Sequence, residues 1–286
     1  MTRYLTPDTV EQASEQLAGL DDARILAGGT DLLTRLNSGA AAPAVIIDIK
    51  RIAEVTTIRE ENGGWIIGAA VSGAALGEHA ELNKAWPGVV EAANLIGSTQ
   101  IQSRATLGGN LCNASPAADA VPALIAAGAR CLIAGPDGRR DVAVEEIVTG
   151  PGQTSLGRGE FVTGFRLPAR APRSSDAYLR MIPRTEMDIA VAGAGVSLTL
   201  DGDDNISEVR VALGAVASTQ LLAEEAAGLL KGRQPDDSIL PDYQRAVQSI
   251  CRPISDRRGA AAYRSHVAGI LAARAAVIAW NRARQT

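Results

Sequence analysis

Twice in this chain a short apolar segment runs into a glycine pair and then into a helix. The first instance is "ILAGGTDLLTRLNSG", Ile25 to Gly39. The second is "TLGGNLCNASPAADAVPALIAAG", Thr106 to Gly128. Paired glycines tolerate positive φ, so successive backbone N–H groups can turn into one concavity that suits an anion. A helix N-terminus behind such a turn adds unpaired N–H groups and a partial positive charge. Two such turns on facing loops are suited to grip a diphosphate from two sides. Each taken alone also reads as a tight connection with no ligand.

Neighbouring motifs narrow the choice. "AGGTDLL" lacks the G-x-G-x-x-G spacing of the dinucleotide fingerprint. "AGAGVSL", Ala192 to Leu198, has a G-x-G that runs into a strand instead of a helix. No G-x-x-x-x-G-K-[ST] occurs, which removes a P-loop. The formal net charge is −4, and without a basic face a nucleic-acid partner is not expected. The three cysteines, Cys112, Cys131 and Cys251, are widely spaced and the two histidines are His79 and His266. That set is too sparse for an iron–sulfur or zinc site. The segment Met1–Leu17 has no apolar core of the signal-peptide kind, and Val267–Trp280 is too short to span a bilayer. The expected location is cytoplasmic.

Along the chain, "TPDTVEQASEQLAGL" reads as a helix capped by Asp8 with Glu11 three residues on. "RILAG" and "AVIIDI" read as buried strands flanking the helix "TDLLTRLNS", a small parallel α/β unit. "EVTTI" and "GWIIGAAVS" suggest a hairpin. A helix from Pro116 to Ala127 is expected, with Ser115 as N-cap and Pro116 at its first position. Strands near "CLIAG", "DVAV" and "FVTGFRLP" follow. The polar stretch Pro168–Asp176 marks a domain boundary. Beyond it come two strands around "DGDDN" and helices at about Thr219–Lys231, Pro241–Cys251 and Asp256–Arg284, placed on one side of an antiparallel sheet. Asp119 reads equally as a favourable first-turn acid and as an acceptor for ligand hydroxyls.

"ILAGGTDLL" together with "IQSRATLGGNLCNASPAADAVPALIAAGA" resembles the FAD-binding medium subunit of the molybdenum hydroxylases: xanthine dehydrogenases, aldehyde oxidases, carbon monoxide dehydrogenases and 4-hydroxybenzoyl-CoA reductase. "GEFVTGFRLP", "RTEMDIAVAGAGVSL" and "AYRSHVAGILAARA" extend the resemblance in order over nearly the whole chain. It implies an α+β fold. A two-part FAD-binding domain of the vanillyl-alcohol-oxidase (PCMH) type would occupy residues 1–172, with subdomains at about 1–54 and 55–172. A C-terminal antiparallel sheet with a helical layer would fill 173–286.

The resemblance also implies site residues. Ile25, Leu26, Ala27, Gly28, Gly29, Thr30, Asp31 and Leu32, with Thr106, Leu107, Gly108, Gly109 and Asn110, fall on the FAD diphosphate and its surroundings. Asp119 matches an acid that contacts flavin hydroxyls. Ile96 falls against the isoalloxazine ring, and Val162 and Arg180 match further contacts. Core packing is the other reading of Ile96 and Val162. Arg180 stands where some relatives carry lysine. Carbon monoxide dehydrogenases have His-Ser after the first glycine pair, whereas this chain has Thr30-Asp31, as in the xanthine and aromatic-substrate branches.

The implied activity is electron transfer between [2Fe-2S] clusters and an external acceptor. The FAD would be non-covalent. The clusters and the molybdenum cofactor would reside in a small and a large partner subunit, in a dimer of heterotrimers, where an N-heteroaromatic, purine or aldehyde is hydroxylated. No catalytic acid, base or nucleophile is expected in this chain, and Cys112 reads as a structural thiol. A stand-alone flavoprotein oxidase and a non-catalytic scaffold subunit are the alternatives. Poverty in histidine and aromatics argues against the oxidase, and the intact glycine turns argue against the scaffold.

Overall fold

The computed structural model describes residues 2–286. Three strands, β1 (Arg3–Leu5), β2 (Ala23–Leu26) and β3 (Val45–Asp48), form an all-parallel sheet in the order β1-β3-β2. Val45 to Asp48 are all buried, as expected for a central strand covered on both faces. Its core joins Val10 and Ala13 of the Val10–Gly19 helix to Ile47, Ile49, Ile52 and Val55. Thr9, not Asp8, caps that helix, its hydroxyl accepting from the Gln12 amide. Glu11 is drawn instead to Arg139 at 2.9 Å.

β4 (Ile58–Glu61), β5 (Gly64–Gly68), β6 (Arg130–Gly135) and β7 (Gly138–Ala143) build an antiparallel sheet, order β4-β5-β10-β6-β7, around the central β10 (Phe161–Leu167). β8 (Val148–Gly150) and β9 (Gln153–Thr154) form a separate small ribbon. "EVTTI" does not start the hairpin. Ala53–Thr56 is a helical turn, because the Val55 carbonyl accepts from Ala70 at 2.8 Å and Gly68 packs directly on Val55 backbone.

β11 (Ser174–Met181), β12 (Ala192–Leu200), β13 (Ile206–Gly214) and β14 (Leu221–Leu222) make the last antiparallel sheet. Ala192, Ala194, Val196, Leu198 and Leu200 project from one face, as the period of two requires. The Ala261–Ala283 helix covers that face with Ala268, Leu271, Ala272, Ala275, Ala276, Ala279 and Ala283, a stripe at helical spacing. The opposite face is covered too. A Cβ on Gly195 would meet the Pro122 carbonyl at 2.8 Å, so the G-x-G of β12 lets the Ala120–Ala126 helix approach the sheet. The C-terminal sheet therefore has helices on both sides, one supplied by the N-terminal half.

Three helix limits differ from expectation. The helix expected from Pro116 begins at Ala120, whose amide is met by the Asn110 side chain and not by Asp119. The Ser115 and Pro116 carbonyls accept from the Gln220 side chain, and Pro116 also accepts from Ala215, so neither is free to start a helix. Thr219–Lys231 holds the short β14 and then a helix only over Glu224–Gly228. Asp256–Ala260 is a bridged turn ahead of the long helix. No helix among the described residues is long and apolar enough to cross a membrane.

Candidate functional site

The first glycine turn leaves β2, bends at Gly29 (φ +81°) and enters the Leu32–Asn37 helix. The second is not a left-handed turn. Thr106 caps the Leu107–Cys112 helix, so Gly108 and Gly109 lie in its first turn. Their amides are already used: Gly108 donates to the Ala69 carbonyl at 3.1 Å, Gly109 to the Thr106 hydroxyl at 3.0 Å and Asn110 to the Thr106 carbonyl at 2.9 Å. The expected pair of facing nests is thus one nest facing one helix end. The amides of Gly28, Gly29, Thr30 and Asp31 donate to no acceptor among the described residues.

Gly28 lets the first segment approach the second: a Cβ there would lie 1.9 Å from the Arg104 carbonyl oxygen. Gly108 packs instead on the backbone after β5, where a Cβ would lie 2.6 Å from the Ala69 carbonyl oxygen. Gly109 differs: a Cβ there would touch only the Thr106 hydroxyl, at 3.0 Å. Asn113 bridges the segments, donating to Asp31 at 3.2 Å and accepting from Arg35.

Between them lies a cavity of about 590 Å³. Ile25, Leu26, Ala27, Gly28, Gly29, Thr30, Asp31 and Leu32 line it, with Thr106, Gly108, Gly109, Asn110, Ile96 and Val162. Leu107 does not, since its side chain is fully buried in the core. Asp119 and Arg180 are also absent from the wall. Arg180 donates to Asp119 at 2.6 Å and the Tyr178 hydroxyl donates to the other carboxylate oxygen at 3.3 Å. Their charges satisfy each other behind Asn110, whose side-chain oxygen accepts from the Ala120 amide at 3.1 Å. Burial pushes the Asp119 carboxyl up to about 6 against the pull of Arg180 and Tyr178.

The cavity also takes in Arg24, Arg35, Ile49, Leu156, Glu160, Phe161 and Asn113, which sequence reasoning missed. Arg35 carried a usable signal: it lies four residues after Asp31, one helical turn on. Phe161 opens the central strand β10 and Leu156 lies in the loop before it; neither carried one. Cys112 opens to the cavity, yet protein crowds around it, and that burial pushes its thiol up to about 12. It is a neutral wall group at ordinary pH.

A ligand that carries an anionic group and aromatic rings suits this lining. The unpartnered amides are donors available to an anion, Gly109 adds no side chain to the wall, and Ile49, Ile96, Phe161 and Val162 offer apolar surface. FAD has that form, and the residues present fit it.

Comparison with known proteins agrees. Residues 1–170 match the family described as FAD binding domain in molybdopterin dehydrogenase, and residues 177–278 match the CO dehydrogenase flavoprotein C-terminal domain. The chain is 34% identical over 280 residues to the carbon monoxide dehydrogenase medium chain of Hydrogenophaga pseudoflava, covering 98% of this chain and 97% of that one. It is 31% identical over 266 residues to the xanthine dehydrogenase FAD-binding subunit of Escherichia coli O157:H7, covering 92% and 91%. The reconstituted CO dehydrogenase structure from Oligotropha carboxidovorans superimposes with a TM-score of 0.94 at 33% identity, covering 99% of this chain and 98% of that chain.

Proposed function

From the premise that the chain belongs to the FAD-binding flavoprotein family of the molybdopterin dehydrogenases, we propose that it holds one FAD without a covalent bond and passes electrons between [2Fe-2S] clusters and an external acceptor. The observation that carries this is the run of unpartnered amides from Gly28 to Asp31 facing the Thr106–Asn110 helix end across one cavity. Bound FAD supplies the redox chemistry; the protein supplies binding, orientation and electrostatics.

The chain's own groups divide that work. The Gly28–Asp31 amides bind the diphosphate, and charge-assisted bonds of this kind contribute about 1.5–3 kcal/mol each. Thr106 keeps the second segment helical and its glycines close. Ile96 and Val162 exclude water from the ring. Asp119 and Arg180 hold the ground behind Asn110. No histidine stands in either motif to tether the flavin.

The clusters and the molybdenum cofactor belong to a small and a large partner subunit, arranged as a dimer of heterotrimers in the cytoplasm. Medium-chain and FAD-subunit names among the relatives support the partnership, and three separated cysteines supply no cluster of their own. The substrate, an N-heteroaromatic, purine or aldehyde, meets the large subunit. Thr30-Asp31 after the first glycine pair supports that choice over carbon monoxide, although carbon monoxide and xanthine dehydrogenase chains are similar to this one at 34% and 31%.

Reconstitution tests the reading. The isolated chain should show no flavin bleaching with purines, aldehydes or N-heteroaromatics, and adding both partner subunits should restore it for one class. Turnover of an organic substrate by the chain alone would replace this reading with a stand-alone oxidase.

A further inference from the structure

We propose that Lys50 is a positioning residue that aims the Gly28 amide into the cofactor cavity; the inference rests on the FAD reading above. Lys50 lies two residues beyond β3, and its side chain stands in a second, smaller cleft of about 240 Å³ behind the glycine turn, with Gly28 as the residue common to both cavities. From there its ammonium donates to the Ala27 carbonyl at 3.0 Å and to the Asp48 carboxylate at 2.7 Å. Asp48 is itself fixed. It is buried, accepts from the Lys50 backbone amide at 3.0 Å, and its other oxygen accepts from the Tyr4 hydroxyl.

The consequence follows from peptide geometry. The described chain has no cis peptide bond, so the Ala27 C=O and the Gly28 N–H lie on opposite sides of one planar unit. Lys50 holds the carbonyl toward the rear cleft. The amide is thereby turned the other way, toward the large cavity, and it has no acceptor among the described residues. This peptide turns about the ψ of Ala27 and the φ of Gly28, and Gly28 has no side chain to oppose the rotation. Rotation would present a carbonyl oxygen to the diphosphate in place of a donor. A charge-assisted hydrogen bond on the far side opposes that rotation. The Lys50 charge is matched by Asp48, so its contribution is orientation and not net charge.

The test uses the full chain stripped of flavin and titrated with FAD by fluorescence quenching, with ³¹P spectra of the bound cofactor. Lys50→Met should raise the Kd about tenfold, the effect of losing roughly one well-aligned hydrogen bond, and should shift the diphosphate resonances. Lys50→Arg, which can still reach a carbonyl, should recover most of the affinity. Tyr4→Phe loosens only the Asp48 anchor at an exposed site and should give a smaller rise in the same direction, keeping the question answerable if Lys50→Met fails to fold. An unchanged Kd in Lys50→Met, a weakened one with unmoved ³¹P resonances, or Lys50→Arg no better than Lys50→Met would overturn the proposal. Failure of the wild-type chain to bind FAD would instead overturn the FAD reading and this inference with it.

Discussion

Gly109→Val and Gly28→Ala should separate cofactor binding from folding. At Gly109 the backbone is helical and a Cβ meets only the Thr106 hydroxyl, at 3.0 Å. Valine is no worse a helix residue than glycine, so the fold should hold. Gly109 lines the cavity, so the two methyl groups should take up space that the diphosphate needs. Displacing the diphosphate from one of the Gly28–Asp31 amides forfeits about 1.5–3 kcal/mol, which is roughly tenfold to a hundredfold in Kd. At Gly28 the added carbon lies 1.9 Å from backbone oxygen of Arg104. Both loops must part, an overpacking strain of about 1–3 kcal/mol that lowers the Tm by several degrees. The assay is paired: thermal melting of the flavin-free chains and FAD titration by fluorescence. Gly109→Val should melt with the wild type and bind weakly, whereas Gly28→Ala should melt early and bind weakly. Wild-type affinity in a folded Gly109→Val chain would refute the reasoning, as would an unaltered melt for Gly28→Ala.

Other expectations follow from the same structure. Acid precipitation should leave the flavin in the supernatant; colour retained in the pellet would mean a covalent link. Asp119→Ala leaves the buried Arg180 cation unpaired and should cost about 3–5 kcal/mol in denaturant unfolding, far more than loss of a surface carboxylate. The bond from Arg264 holds Asp256 down at about 2. A carboxyl depressed in the folded state stabilises fully above its unfolded value near 3.9 and loses that contribution as pH falls. Asp256→Asn should therefore be less stable than wild type at pH 6, and urea unfolding should show the gap closing between about pH 4 and pH 2. Phe165→Ala, at a fully buried site of the central antiparallel sheet, should cost about 3–5 kcal/mol by the same measurement.

The sequence was most informative where local chemistry decides structure. Apolar runs such as "VIID" read as buried strands and proved to be so, and the small parallel unit followed from them. The alanine stripe from Ala268 to Ala283 gave the last helix. Prediction failed where a distant partner overrode local preference. Ser115 and Pro116 look like a helix start, but Gln220 and Ala215 claim their carbonyls. Gly108-Gly109 looks like a second nest, but Ala69 and Thr106 take the amides. Asp119 and Arg180 were expected at the flavin; that they also pair with each other across sixty-one residues is announced by neither local sequence. Lys50 was silent for the same reason: its meaning lies in the Ala27 carbonyl, twenty-three residues away.

The most direct test of the central claim is the visible spectrum of the chain after incubation with excess FAD and desalting. The unpartnered amides and the open position at Gly109 predict a flavin band equivalent to one FAD per chain. A colourless protein, folded but retaining no flavin, would contradict the account.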